Sequence, residues 1–489
     1  MAYRCGDRYQ MDLMPQSIED YVGSDNPVRA YDIFVEALNF RELGIEINPD
    51  KVGNSEYEPR SMFKLLVYGY SYGVKSSRKL ERECYHNLAF IWLMGGLRPD
   101  HKTIAEFRRN NKKALQKVLQ QCARMCIKLD LIGGNILFVD GTKIRANNLK
   151  VTRAGRHRTH DQANYEKRLA DIDNRIEQLL VECETADQSE EGAPSYVSMD
   201  KELSKKQHLK DRIRQTLDAF KEDDRKQINQ TDTDCAIMHS VQGSHASYNV
   251  QSVVDERHGL IVHAEAVNAT SDVNQFARQI EGANDLLEIP CKVACADAGY
   301  ANTDELGKID QQGIKVIVPS QRQALHEEES PFSKSHFIYD KEQDVYICPE
   351  GQALRYHNTH KPKGKRYYRI VDKKLCLDCK HYGQCTESQH GRNIARLRNE
   401  DVKIRLEAQY QEESSQDIYA KRKTKVEQPF GHIKRNLKTD AFHLRGKDGV
   451  QAETALLATC FNIARMITIF GVSTLIEKMA GLNMVVAGC

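Results

Sequence analysis

Two short apolar runs, each containing an aspartate, constrain the fold of this chain most strongly. The first is NILFVDGTKI, which contains Asp140, and the second is KVACADAGYAN, which contains Asp297. Runs of this kind predict strands buried within a sheet. An acid at the end of a buried strand is costly unless it is paired or binds a metal ion. Both aspartates are therefore candidate site residues, and the alternative for Asp140 is a turn residue before Gly141.

The segments around these runs complete an α/β pattern. The stretch ASYNVQSVVDERHGLIVHAEAV predicts a hairpin that turns near His258 and Gly259, and IKVIVPS predicts a further strand. Helices are predicted from Val273 to Leu287 and from about Thr303. This order of elements predicts a mixed sheet flanked by helices, with Asp140 and Asp297 at the ends of separate strands.

A basic segment near the C-terminus contains a single acid, Glu427. It is YAKRKTKVEQPFGHIKRNLK, from Tyr419 to Lys438, and it predicts a helix interrupted or started near Pro429. Its apolar residues recur at intervals of three and four, as on one helix face: Val426, Phe430, Ile433 and Leu437. A carboxylate among cations stays ionised, and cations beside a metal-bound acid suit a phosphodiester substrate. The alternative is a solvated basic helix with one salt-bridged glutamate.

Asp140, Asp297 and Glu427 would together supply the ligands of a two-metal site. In such sites two divalent cations lie about 3.5 to 4 Å apart, and they activate the attacking oxygen and stabilise the leaving oxygen. Carboxylate ligands suit Mg²⁺ or Mn²⁺ and do not suit zinc.

Residues 1 to about 130 carry helical periodicity. In LAFIWLMGGLRPDHKTIAEFRRNN, two glycines and a proline break the chain before a helix that we expect to expose Arg108 and Arg109. Short helices with tight turns and exposed basic residues are compatible with a helix-turn-helix DNA-binding module. A plain packing domain is the alternative, and the pattern selects no recognition helix.

Two insertions are predicted after residue 130. Residues 152–232 have apolar residues at coiled-coil spacing, which predicts an antiparallel helical hairpin. We interpret this hairpin as a structural arm, with dimerisation or DNA contact as alternatives. Residues 325–400 form a basic, cysteine-rich insertion between the last strand and the Glu427 helix.

The cysteine-rich insertion contains Cys348, Cys376, Cys379 and Cys385. The two-residue gap between Cys376 and Cys379 is that of a zinc knuckle, and four thiolates would form a closed structural zinc site. Free thiols are the alternative, and His381 and His390 are substitute ligands. Bound zinc would clamp a segment with too little apolar content to fold alone, and would order a basic surface for DNA. That surface would comprise Lys361, Lys363, Lys365, Arg366 and Arg369.

Composition limits the setting in which these sites act. The 489 residues allow two or three domains, and a net charge of +2 means that affinity for nucleic acid must come from local patches. Most of the cysteines stand singly in apolar segments, which predicts reduced core thiols. We expect a cytoplasmic protein, because we find neither a signal peptide nor an apolar run of membrane length.

Several of these segments together resemble bacterial insertion-sequence transposases of the DDE type, which have an RNase H-like catalytic domain. PDHKTIAEFRR at 99–109 resembles the end of the N-terminal helical domain of one such group. FVDGTKIRAN resembles the first-Asp segment, and DAGY at 297–300 resembles the Asp-x-Gly-Tyr motif. VEQPFGHIK resembles the third segment, with six residues between Glu427 and Lys434 as in the Tyr, Arg, Glu, Lys signature.

The resemblance implies a helical DNA-end-binding domain over 1–130 and an RNase H-like mixed sheet with flanking helices over 131–489. It implies that Asp140, Asp297 and Glu427 form the catalytic triad and bind two Mg²⁺ or Mn²⁺ ions. Lys434 and Arg422 would grip the phosphates near the scissile bond. The further candidates for DNA binding are Tyr419, Lys423, Arg435, Arg108 and Arg109.

One spacing departs from the family signature. The signature leaves three residues between Arg and Glu, whereas four residues separate Arg422 from Glu427, and Lys423 stands at the expected position. Two residues separate Tyr419 from Arg422, as in the signature, so both residues are shifted by one position relative to Glu427. The spacing leaves Arg422 and Lys423 both as candidates.

The resulting hypothesis is a transposase that binds the terminal inverted repeats of its element, cleaves there and joins the 3′ ends to target DNA. Such an enzyme is expected to act as a homodimer when bound to DNA. One alternative is a catalytically silent, zinc-stabilised DNA-binding or regulatory protein derived from a transposase. Another is a metal-dependent nuclease that cuts without joining.

Overall fold

The computed structural model describes residues 17–48, 56–147, 159–187, 196–222, 227–240, 243–326, 330–360 and 364–486. Its N-terminal part is helical, as predicted. Pro27 and the side chain of Asn26, which accepts a hydrogen bond from the Val28 amide at 3.0 Å, set the start of the first helix. The helices are α1 (Pro27–Glu36), α2 (Phe40–Leu43), α3 (Pro59–Ser71), α4 (Ser77–His86), α5 (Leu88–Leu93), α6 (His101–Asn110) and α7 (Lys112–Lys128).

Strand β1 (Ile136–Arg145) follows, and then the predicted helical hairpin. The hairpin consists of α8 (Gln162–Asp187) and α9 (Tyr196–Glu222), closed at its base by the short strands β2 (Thr159–His160) and β3 (Ile228–Asn229). The two helices pack through a small core of their own, which includes Tyr165, Ile172 and Ile213. Over its described residues, the segment 152–232 thus contains two helices packed against each other.

The main sheet is mixed and contains β1. Its other strands are β4 (Ala236–Ser240), β5 (Gly243–Asp255), β6 (Ile261–Val267), β7 (Val293–Cys295) and β8 (Lys315–Ile317), with α10 (Phe276–Leu287) and α11 (Thr303–Asp310) between them. The strand order is β4-β5-β1-β7-β8, and β6 also pairs with β5. Strands β1, β7 and β8 are parallel, whereas β5 is antiparallel to β1, β4 and β6. The predicted mixed sheet and hairpin are confirmed, and β4 was not predicted.

A short helix, α12 (Gln321–Ala324), leads to a second sheet in the cysteine-rich insertion. Its strands are antiparallel in the order β13-β12-β11-β10-β9. They are β9 (Ile338–Asp340), β10 (Val345–Ile347), β11 (Ala353–His360), β12 (Lys365–Ile370) and β13 (Asn393–Arg396), with α13 (Lys374–Leu377) before β13. We expected this insertion to have too little apolar content to fold alone. It buries a core of its own, formed by Phe337, Tyr346, Leu354, Tyr368, Ile370 and Ile394.

The C-terminal part is helical and completes the core around the main sheet. Its helices are α14 (Glu400–Gln411), α15 (Glu413–Arg435), α16 (Lys447–Phe470) and α17 (Val472–Val486). Helix α16 packs on α3, α7 and β6, so the N-terminal helices and the sheet share one hydrophobic core. Among the described helices, only α16 is long and apolar enough to cross a membrane, and 67% of its most apolar window is buried inside the protein. It is therefore a core helix.

Candidate active site

Asp140 lies in β1, and Asp297 lies two residues after the end of β7, the parallel neighbour of β1. The register pairs Phe138 of β1 with Cys295 of β7, and each aspartate stands two residues further along its own chain segment. Because side chains alternate along a strand, both carboxylates lie on the same face as those paired residues. The carboxylate of Asp297 also accepts a hydrogen bond from the Gly299 amide at 2.8 Å, which fixes the turn after β7.

Asp140 lies inside its strand, whereas we expected it at the strand end. Strand β1 stays paired with β5 from Leu137 through Arg145, with Asp140 opposite Ser252. The glycine at 141 is part of this ladder because the long partner strand supplies hydrogen bonds beyond it. Asp140 therefore stands on a rigid element and not in a turn.

Arg422 of α15 faces both aspartates. Its Nη1 lies 3.8 Å from Oδ1 of Asp140, and its Nη2 lies 4.0 Å from Oδ2 of Asp297. These distances are ion-pair distances and are too long for hydrogen bonds, and Nη1 is buried without a hydrogen bond to any described residue. Burial raises the pKa of Asp140 to about 6, Arg422 opposes this shift, and Asp297 adds to it. The site thus holds two close carboxylates that one cation partly offsets.

Tyr419 lies beside Arg422 and near Asp297: burial raises the pKa of Tyr419 most, Arg422 opposes this shift and Asp297 adds to it, whereas Lys423 points to solvent. Tyr419 packs edge-on against Tyr410, with ring centroids 5.2 Å apart, and the guanidinium of Arg422 lies 5.6 Å from the Tyr419 ring. Lys423 is exposed, and so is Arg435. The structure thus brings Arg422, and not Lys423, to the two aspartates despite the altered spacing.

Glu427 lies on the exposed side of α15, which continues through Pro429 where we expected an interruption. Seven residues later, Lys434 donates a hydrogen bond to the hydroxyl of Thr142 at 2.5 Å. Residues seven apart lie about two turns apart on one side of a helix, so Glu427 is on the flank of α15 that meets β1. Within the described residues, however, no three acidic, histidine or cysteine side chains are grouped so that they could hold a metal ion.

A buried network behind the two aspartates was not predicted. Asp272 accepts hydrogen bonds from the side-chain amides of Asn249 and Gln251, each at 2.7 Å. Tyr300, the tyrosine of the DAGY segment, donates to Oε1 of Gln251 at 2.5 Å. The network joins the turn after Asp297 to β5, and the repulsion of Asp272 adds to the raised pKa of Asp140. A sequence signal was present, because polar residues at 249 and 251 are unusual in a buried strand.

Gly141 leaves room for this network. A Cβ atom at this position would lie 2.4 Å from Nε2 of Gln251 and 2.8 Å from Oδ1 of Asp272. Such contacts are shorter than van der Waals packing allows, so only glycine fits beside Asp140 without displacing these side chains.

Arg108 lies inside the N-terminal helical region, and the expectation that α6 exposes it is wrong. Its side chain is 8% exposed and donates hydrogen bonds to the hydroxyl of Tyr70 at 3.1 Å and to the carbonyl of Lys75 at 2.8 Å. The guanidinium is held there because it satisfies buried acceptors. Arg109, by contrast, is 67% exposed and pairs with Glu106.

The four cysteines of the insertion surround one cavity of about 270 Å³. Cys348 lies in the turn after β10, and the other three lie between β12 and β13. The neighbouring thiols Cys376, Cys348 and Cys379 contribute to a raised pKa of Cys385, although its burial contributes most. The thiols therefore lie near one another, but the described structure does not draw three of them into a metal-binding group.

Comparison with protein families gives two matches on separate parts of the chain. The family described as "Transposase DDE domain" matches residues 347–467, which include the four cysteines and α15. The family described as "Transposase domain (DUF772)" matches residues 16–110, the N-terminal helices through α6. Comparison with curated proteins and with solved structures gives no match. The two matches, one on the N-terminal helices and one on the C-terminal part, together indicate an insertion-sequence transposase of the DDE type.

Proposed function

We propose that this transposase binds the terminal inverted repeats of its insertion sequence, cleaves at the element ends and transfers the 3′ ends to target DNA. The observation that carries the proposal is the position of Arg422, whose guanidinium lies 3.8 Å from the carboxylate of Asp140 and 4.0 Å from that of Asp297. Close carboxylates beside a cation are the components of a metal-dependent phosphodiester site. The main sheet would then be the RNase H-like catalytic sheet that the resemblance implies.

Asp140, Asp297 and Glu427 would hold two Mg²⁺ or Mn²⁺ ions, because these ions prefer carboxylate oxygens. When bound, the ions would activate the attacking oxygen and stabilise the leaving oxygen. Two features fit this donor set. Asp140 and Asp297 are close enough for Asp297 to raise the pKa of Asp140, and the flank of α15 that carries Glu427 meets β1.

Cations around the acids would bind the DNA backbone. Nη1 of Arg422 makes no hydrogen bond to a described residue, so Arg422 would turn toward a phosphate oxygen at the acids, with Tyr419 packed beside its guanidinium. Lys434, which lies beside Thr142, two residues after Asp140, would contact the next phosphate. Lys423 and Arg435 would extend this contact along the exposed side of α15, and Arg109 would contribute from the N-terminal helices.

We further propose that the four cysteines bind one structural zinc ion per chain. They line a single cavity, and four thiolates suit a closed tetrahedral zinc site. Because Cys348, Cys376 and Cys385 pack against the core of the insertion, zinc would fix the loops after β10 and β12 on that core. Elemental analysis of purified protein should find one zinc per chain, which is lost when Cys376→Ser is combined with Cys379→Ser. Wild-type protein purified without chelators that contains no zinc would contradict this assignment.

The test of the proposed function is an assay with DNA fragments that carry the element's own ends, a supercoiled target plasmid and Mg²⁺ or Mn²⁺. Wild-type protein should produce new 3′ hydroxyl groups at the ends and joined products in the plasmid. Cut ends without joined products would indicate a nuclease. Glu427→Gln, which keeps the shape of the side chain and removes its charge, should bind the ends without cutting them.

The second candidate is a catalytically silent DNA-binding or regulatory protein. One observation favours it: within the described residues, no three acidic, histidine or cysteine side chains are grouped so that they could hold a metal ion. Ends that are bound but not cut by wild-type protein, with either metal, would support it. In both cases we expect the protein to act in the cytoplasm, as a homodimer on paired DNA ends.

A further inference from the structure

Strands β11 and β12 are antiparallel neighbours in the second sheet, and this pair, which we call the β11–β12 ribbon, has an unusual charge. From Ala353 to Ile370 the sequence has six Lys or Arg residues and no Asp or Glu. One face of the ribbon is apolar, because Leu354, Tyr368 and Ile370 are buried in the core of the second sheet. The alternation of side chains along a strand then assigns the residues between them to the opposite face, which we call the outer face.

The register shows what the outer face carries. Across the ribbon, Arg355 pairs with Arg369 before a register shift at residue 357, and Asn358 pairs with Tyr367 and His360 with Lys365 after it. Arg355, Asn358 and His360 are exposed, and the three residues of β12 are half-buried. All six side chains can hydrogen-bond, and none of them is acidic.

The outer face is electrostatically unfavourable in isolation. Arg355 and Arg369 lie directly opposite each other, and like charges in that position destabilise a pair of strands. Arg369 donates to the His390 carbonyl at 3.1 Å, but within the described residues neither Arg355 nor Lys365 pairs with a carboxylate. A bound polyanion would relieve this repulsion.

Arg366, which we expected to be part of a basic surface for DNA, does not belong to the outer face. Its guanidinium pairs with Asp344 at 2.5 Å and lies 4.9 Å from the centre of the Tyr356 ring. Alternation along β12 turns Arg366 away from Lys365 and Arg369. Lys361 and Lys363, which were also grouped there, lie outside the described residues.

We propose that the outer face of the β11–β12 ribbon binds duplex DNA. Strands of a sheet can enter a groove of duplex DNA, and beyond Arg355 strand β11 pairs only with β12, so the cations can reach phosphates while Asn358 and Tyr367 face the groove. This inference rests on the proposed function, since the duplex would be the element end or the target. It assigns to the cysteine-rich insertion a DNA contact separate from the acids of the main sheet.

The test is the salt dependence of duplex binding by the triple variant Arg355→Gln, Lys365→Gln and Arg369→Gln. Loss of three phosphate contacts should lower the slope of log K against log salt by about 2 to 3 and weaken binding at least tenfold at about 0.1 M salt. The matched control is Arg278→Gln, Lys308→Gln and Lys315→Gln. It removes the same charge from cations that already pair with Glu265, Glu305 and Glu412. The control should keep the wild-type slope.

A second measurement does not depend on removing charge. A photoreactive amino acid in place of Asn358 should crosslink to a duplex, and one in place of Lys308 should not. The ribbon proposal is wrong if the triple variant keeps the wild-type slope and affinity and Asn358 gives no crosslink, while the wild type still binds and cuts DNA. If the wild type binds no DNA at all, the proposed function fails as well, so the two failures are distinguishable.

Discussion

Replacing Arg422 tests the electrostatics of the candidate active site. Arg422 is the cation nearest to both aspartates, 3.8 Å from Asp140 and 4.0 Å from Asp297. At this separation one pair of unit charges attracts by about 4 kcal/mol at an effective dielectric constant of 20. Solvent screens part of the attraction between Arg422 and Asp140, because the Asp140 side chain is 21% exposed. We take about 3 kcal/mol as the attraction that the ionised carboxylate of Asp140 loses in Arg422→Gln. This loss raises the pKa of Asp140 by about two.

This change alters how many protons a metal ion displaces. With a pKa of about 6, Asp140 of the wild type is about 10% protonated at pH 7, so Mn²⁺ binding should release about 0.1 proton per site. In Arg422→Gln the acid is about 90% protonated at pH 7, and the release should approach one proton. At pH 5 the wild type should itself release about 0.9 proton, because Asp140 is then protonated before the metal binds.

The assay is titration calorimetry with Mn²⁺ in buffers of different ionisation enthalpy, which counts the protons released. Lys423→Gln is the matched control, since it removes the neighbouring exposed cation and should leave the release at about 0.1 proton at pH 7. Equal proton release from the wild type and Arg422→Gln at pH 7 would refute the reasoning. A larger release from Lys423→Gln would mean that Lys423 is the cation that offsets the acids.

Three further predictions concern stability, each measured as a melting temperature and as a rate of thermal inactivation. Tyr300→Phe leaves the buried Oε1 of Gln251 without its donor and should lower the free energy of unfolding by about 1 to 3 kcal/mol. An unchanged melting temperature would show that the network does not stabilise the fold. Gly141→Ala should cost about 1 to 3 kcal/mol through overpacking and lower DNA cleavage, and an active, stable variant would contradict the close approach. Arg108→Ala should lower the free energy of unfolding by more than about 2 kcal/mol, because Arg108 is buried. Arg109→Ala should change it by no more than about 0.5 kcal/mol, because Arg109 is exposed, and the reverse order would contradict the assigned burial.

The main sheet was predictable because its strands carry local signals. The apolar runs around Asp140 and Asp297 and the alternating hairpin correspond to β1, β7, β5 and β6. The pairing of the two acids was not predictable in the same way, because register depends on contacts between distant segments. Asp140 ends an apolar run, which predicts a strand end, and only the length of β5 shows that the ladder continues.

The second sheet was missed because basic residues conceal its period-two pattern. In β12 the buried Tyr368 and Ile370 alternate with Tyr367 and Arg369, and tyrosines supply much of the core. The surroundings of Arg108 and Asp272 depend on tertiary contacts with no sequence signature of their own. Arg108 meets acceptors on the segment from α3 to α4, and Asp272 meets two amides of β5.

The most direct test of the central claim compares Asp140→Asn, Asp297→Asn and Glu427→Gln with the wild type on labelled DNA that carries the element's ends. Binding and cleavage should be measured on the same samples in Mg²⁺ and in Mn²⁺. All three variants should bind the ends with near wild-type affinity. Each should lose cleavage activity by about a thousandfold or more, since each removes a metal ligand. Cleavage at wild-type rates by any one of them would show that its carboxylate is not part of the active site.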